Sequence, residues 1–165
     1  MANSRNKFLD PEPRINSALG ELLRSFNFLD LNLGLCISHL ENPGEPQKSH
    51  TSLANMSTHR KVQRLHTLIE QGEYIASGKR RSAYDKWHES TNHCRLIRNF
   101  YVHGVWEYLP MRSHDPLGFR VPPWMKHTLG VESEKTMSLV EFEDSVAKVT
   151  AVYKGFMEIR RNNGI

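Results

Sequence analysis

Three residues with complementary chemistry fall close together in the run Arg98-Asn99-Phe100-Tyr101-Val102-His103, which is followed by Gly104 and Trp106. The run carries a permanent cation, an amide and a titratable imidazole within about a turn and a half of helix. Cleaving a ribonucleotide strand without a metal needs a base for the ribose 2′-hydroxyl and an acid for the leaving 5′-oxygen. It also needs a fixed cation for the charge growing on phosphorus. Histidine suits proton transfer because its ordinary pKa lies near neutrality, and arginine suits phosphate because its planar fork matches two oxygens at once. Asn99 can orient the imidazole or the phosphate. A 2′-hydroxyl requirement would make such a site act on RNA and not on DNA.

On a regular helix Asn99 and His103 lie about 40° apart, whereas Arg98 and His103 lie about 140° apart. With Cys94 and Ile97 directed inward, Arg98 sits at the flank of the buried stripe and His103 almost opposite it. Two routes would bring the three together. Gly104 can loosen the last turn so that His103 swings round, or a second copy of the chain can bring its own Arg98 and His103 into a shared cleft.

The elements that must position this run are mostly helical. Ile15, Leu19, Leu22, Phe26, Leu29, Leu33, Cys36 and Leu40 recur in 4-3-4-3 spacing until Asn42-Pro43-Gly44, which predicts a long amphipathic first helix. Residues 41–56, rich in Pro, Gly, Ser and Asn, read as a connecting loop. Ser57 or Thr58 caps a second helix reaching Gly72 or Ile75, with Val62, Leu65, Leu68 and Ile69 inward. After a break at 78–82, a third helix is expected from near Ser82, with Ala83, Trp87, Ser90, Cys94, Ile97 and Tyr101 on one stripe and Gly104 as its stop. Residues 105–137 lose the helical period. Two extended segments with a hairpin turning at Pro116-Leu117-Gly118 fit them, Pro122 and Pro123 confining the second to an edge. Ser138-Leu139-Val140-Glu141 is a capping box for a fourth helix with Phe142, Val146, Val149, Tyr153 and Phe156 inward. The expectation is one domain over 1–165, mainly α, an antiparallel four-helix bundle with 1–12 flexible and 105–137 an irregular insertion between the last two helices.

Composition narrows the classes. Hydrophobic residues make up 38% and charged residues 24%, as in a folded globular chain and unlike a disordered one. A net charge of +4, with nine histidines that add positive charge below neutral pH, permits an anionic partner without requiring one. Cys36 and Cys94 fall on apolar stripes without framework spacing and read as buried free thiols. Residues 1–14 lack the apolar core of a signal peptide, and the 31–37 patch is too short to span a bilayer, so a cytoplasmic protein without a membrane partner is expected.

The R-N-x-x-x-H pattern at the end of the third of four helices, followed by Gly104, resembles the signature of the HEPN family. The resemblance implies a helical-bundle homodimer whose active cleft forms where two motifs meet. It implies a metal-independent endoribonuclease with no cofactor, cutting RNA by transesterification to 2′,3′-cyclic phosphate ends. Arg98, Asn99 and His103 are then the catalytic residues, and the role is that of a toxin or defence effector with an antitoxin or regulatory protein as a further partner. A subset of HEPN toxins has a tyrosine two residues after the histidine, which a nucleotidyltransferase modifies. Here Val105 stands there, so that control has no support. From another class, the same surface would serve a non-catalytic HEPN-like module that binds a protein or RNA.

Other side chains are candidates for RNA contact: the basic run Lys79-Arg80-Arg81, and Trp106, Arg112, Arg120 and Trp124 in the segment leaving Gly104, for stacking and phosphate contact. His59 and His66 share a helix face, and His88 and His93 flank one turn of the third helix. No H-E-x-x-H, cysteine pair or carboxylate cluster accompanies them, so no metal site is expected.

Overall fold

The first helix forms as its 4-3-4-3 pattern demands: α1 runs Glu12–Glu41 and buries Ile15, Leu22, Phe26, Leu29, Leu33, Cys36 and Leu40. The computed structural model describes residues 12–108, 116–120 and 134–165. After α1 the chain makes a short 3-10 turn at Pro46–Ser49, then α2 (His50–Ala54), α3 (Thr58–Gly72) and α4 (Lys79–His103). Strands β1 (Val105–Tyr108), β2 (Pro116–Arg120) and β3 (Glu134–Ser138) follow, and α5 (Leu139–Asn163) ends the described chain. The architecture is mainly helical, with one small sheet. Most of residues 1–12 fall outside the described chain, and Glu12 opens α1.

Packing follows the apolar stripes. α1 lies against α3, α4 and α5, and α4 against α5, around a core that includes Tyr84, Trp87, Phe142, Val149 and Phe156. The Trp87 indole stacks on Phe156 at 4.8 Å between centroids and donates to the Val152 carbonyl at 3.1 Å, so a large ring is buried with its polar atom satisfied. Cys36 and Cys94 are free and buried. Caps agree with the sequence where it carries them. The Ser57 hydroxyl accepts from the Arg60 amide, and Ser138 and Glu141 complete the reciprocal capping box of α5.

Four expectations need correction. The 41–56 connection is not a bare loop, because Pro46 starts the 3-10 turn and α2 follows it, with Ser49 and Leu53 buried against α1. α4 begins at Lys79 and not near Ser82, because Gly78 at φ 83° turns the chain directly into the helix without a capping side chain. Its buried stripe runs through Tyr84, Trp87, Thr91, Cys94 and Tyr101, leaving Ala83 and Ser90 exposed.

The fourth correction concerns the segment after Gly104. Pro116, Leu117 and Gly118 lie inside β2, so they do not form the turn. β2 is also central, not an edge, in an antiparallel sheet of order β1-β2-β3. Proline is tolerated there because it is the first strand residue and lies beyond the β1 register, which ends at Tyr108 opposite Leu117. The third strand was not expected, and Pro122 and Pro123 lie outside the described residues. The sheet joins the two helices it separates: β1 leaves α4 through Gly104, and Ser138 is both the last residue of β3 and the N-cap of α5.

Candidate functional site

The C-terminal end of α4 brings Arg98, Asn99 and His103 together within one chain. Arg98 Nη1 donates to Asn99 Oδ1 at 3.2 Å and lies 3.5 Å from His103 Nε2. The second distance is long for a hydrogen bond, so it is a contact and not a bond that locks the imidazole. His103 is exposed, and Arg98 and Asn99 are half-buried.

Within the single chain the convergence does not come from a loosened last turn at Gly104. α4 stays regular through its last turn, with the Gly104 amide donating to the Phe100 carbonyl at 2.9 Å. Gly104 itself is extended, at φ −80° and ψ 151°, and not left-handed. It is glycine because a Cβ there would sit 2.6 Å from the Phe100 carbonyl oxygen and 3.5 Å from that of Arg120. The helical wheel kept Arg98 and His103 apart because it places Cα atoms, and the arginine side chain is long enough to wrap the helix surface. Its guanidinium carbon lies 5.3 Å from the centroid of the buried Phe26 ring of α1, which fixes the stem and spends no hydrogen-bond donor. Burial pushes the Arg98 guanidinium below its usual value, with the Asp30 carboxylate pulling the other way. At neutral pH it remains a cation.

Behind the motif lies a cleft of about 420 Å³ between α1, the start of α3 and α4. Phe26, Asp30, Thr58, His59, Arg95 and Arg98 are among its lining residues, with Asn99 at its edge. Asp30 is already engaged, accepting from the Thr58 hydroxyl at 2.7 Å and from the Lys61 ammonium at 2.6 Å. Arg95 is a residue that the sequence pattern did not single out. It precedes Arg98 by about one helical turn, a like-charged pair on one face that costs stability unless an anion or solvent separates the charges, and that cost was the available signal.

The remaining candidates scatter. Lys79, Arg80 and Arg81 form the first turn of α4, on the order of 25 Å along the axis from Arg98. Arg81 is also paired with Glu70 and Asp85. Trp106 packs half-buried against the core. Arg120 is exposed and pairs with Val105 across β1 and β2, which sets its backbone beside Gly104 at the motif end. Arg112 and Trp124 lie outside the described residues. His66 stacks on His88 at 4.3 Å and meets the Tyr84 hydroxyl at 3.3 Å. Burial first, then His66, lowers the pKa of His88. Among the described residues no three metal-ligating side chains cluster, and no helix is long and apolar enough to cross a membrane.

No protein-family model matches this chain, and neither a curated protein nor a solved structure matches it.

Proposed function

We propose that the protein is a metal-independent endoribonuclease of HEPN type. In this reading its long helices form an antiparallel bundle, it acts as a homodimer, and its role is that of a toxin or defence effector held in check by an antitoxin or regulatory protein. One observation carries the reading: a single guanidinium, held over Phe26, bonds Asn99 and lies 3.5 Å from the exposed His103 imidazole. Arg98 would take the scissile phosphate and stabilise the charge that grows on it, and Asn99 would hold the guanidinium in plane. His103 would accept the 2′-hydroxyl proton. Protonation of the 5′-oxygen in the same step requires a second donor, and a two-fold copy supplies it as the other His103.

The test is RNA cleavage by purified protein in the presence of a chelator. Single-stranded RNA should yield 2′,3′-cyclic phosphate ends while DNA of the same sequence stays intact, and His103→Ala should abolish the products. His103 is exposed, so its loss should leave the fold within about half a kcal/mol of wild type. Light scattering at tens of micromolar should give twice the chain mass. Identical products from wild type and His103→Ala would leave the motif as a non-catalytic binding surface.

A further inference from the structure

Three residues that line the cleft behind the motif each carry a side-chain nitrogen with no hydrogen-bond partner among the described residues: His59 Nδ1, Arg95 Nε and Arg98 Nε. Each nitrogen is shielded from solvent. Such orphans are rare and costly, and three from two helices around one cleft ask for a common explanation. The first turn of α3 ends at the same place. Ser57, Thr58 and His59 line the cleft, and among the described residues the first-turn amides satisfied in the cap are those of Arg60 and Lys61, which bond the Ser57 hydroxyl and carbonyl. The positive end of the α3 dipole therefore adds to two arginines and an imidazole. Among the described residues the one acid lining the cleft, Asp30, is paired with Lys61.

We infer that this cleft is a phosphate-binding subsite, formed by Arg95, His59 and the start of α3, that holds a non-scissile phosphate of the RNA strand whose neighbouring phosphate reaches His103. The inference rests on the ribonuclease reading for the identity of its ligand. Arg98 belongs to both places: it lines the cleft, and its Nη1 reaches the His103 side. His59 lines the cleft and offers the phosphate an imidazole N–H. Arg95 and His59 are binding residues and take no part in proton transfer.

The probe is a fluorescein-labelled single-stranded RNA with 2′-O-methyl sugars, which cannot be cleaved, titrated with the full chain across a range of salt concentrations. Wild type should bind with a salt slope that Arg95→Met lowers by about one, with affinity falling about tenfold at moderate salt. Arg95→Lys should restore much of the slope, and His59→Ala should weaken binding with a smaller change in slope. Thermal melting of each variant separates loss of the site from loss of the fold, and the lysine variant keeps the test informative if Arg95→Met melts early. Wild-type slope and affinity in Arg95→Met overturn the inference. Displacement of the RNA by low millimolar inorganic phosphate, with an Arg95-dependent rise in melting temperature, assigns the cleft to free phosphate and overturns the strand assignment. Cleavage of ordinary RNA by wild type is scored separately. If wild type cleaves and Arg95→Met binds normally, the subsite fails alone. If wild type binds through Arg95 and does not cleave, the ribonuclease reading fails alone.

Discussion

At the residue scale Arg98 has three jobs, and substitutions can separate them. Its stem covers Phe26, its Nη1 holds Asn99 and approaches His103, and its charge is the candidate phosphate ligand. Arg98→Ala should therefore lose cleavage severely and also cost about 1 kcal/mol of stability, through lost packing at a half-buried position. Arg98→Lys keeps the charge and loses the fork, so cleavage should still fall by one to two orders of magnitude while melting stays close to wild type. Asn99→Ala should reduce the rate less, because it frees the guanidinium without removing it. Parallel melting and initial-rate measurements check the ordering, and a lysine variant with full activity would remove the bidentate role. The residue types were legible in the sequence, but their convergence was not. A helical wheel has no account of how far an arginine reaches, and the partner that steadies it, Phe26, lies on another helix.

At the scale of elements, legibility followed length. The thirty residues of α1 repeat one stripe often enough that Glu12–Glu41 could be read almost to its ends, and Ser138 with Glu141 announced α5 chemically. Short elements carried too few repeats. α2 has five residues, and each strand has four or five, so Pro116 read as a turn when it opens a central strand. Gly78 starts α4 through its backbone conformation alone, which no side-chain signal marks. The junction of α4 with β1 gives the prediction at this scale. Gly104→Ala places a methyl 2.6 Å from the Phe100 carbonyl oxygen, so either the last turn or β1 must shift. The expected cost is about 1–3 kcal/mol. Because His103 is the residue before the junction, cleavage should fall further than stability does. Circular dichroism with helix content retained, a lowered melting temperature and a reduced rate would match; an unchanged rate would show that His103 does not depend on the strand it precedes.

For the whole molecule, the buried thiols set an alkaline limit. Burial pushes both Cys36 and Cys94 from an ordinary value near 9.0 up to about 11. Tyr84 is raised as well, chiefly by burial. A folded-state pKa above the unfolded one favours the native state at low pH, so this stabilisation is complete below about pH 9. It fades as pH rises through 9 toward 11, where the unfolded chain releases protons that the folded chain retains. Tenfold tighter proton binding corresponds to about 1.4 kcal/mol, which makes the effect measurable. Urea midpoints should be flat from pH 7 to 8.5 and decline above pH 9, and both cysteines should resist thiol reagents at pH 8 until denaturant is added. Rapid native-state labelling of either cysteine would contradict the burial. Both thiols fall on apolar stripes that the residue order alone displays, so this property was legible in the sequence. The cleft was not, because it depends on how α1, α3 and α4 meet.

Arg98 stands between the exposed imidazole and the cleft behind it, and a side chain that faces two ways fixes the distance between what it meets on either side. On the proposed reading it would act as a ruler. If the proposed ribonuclease site and phosphate subsite hold, an RNA dinucleotide, with one internal phosphate, would occupy only the His103 side, whereas a trinucleotide would add the neighbour that fills the space beside Arg95 and His59. Binding energy gained away from the reacting bond is what orders that bond for attack, so the shorter substrate should lose kcat/KM by at least about tenfold relative to the longer one. In Arg95→Met the advantage of the third nucleotide should disappear. Equal rates on the two lengths in wild type would overturn the counting of the third nucleotide.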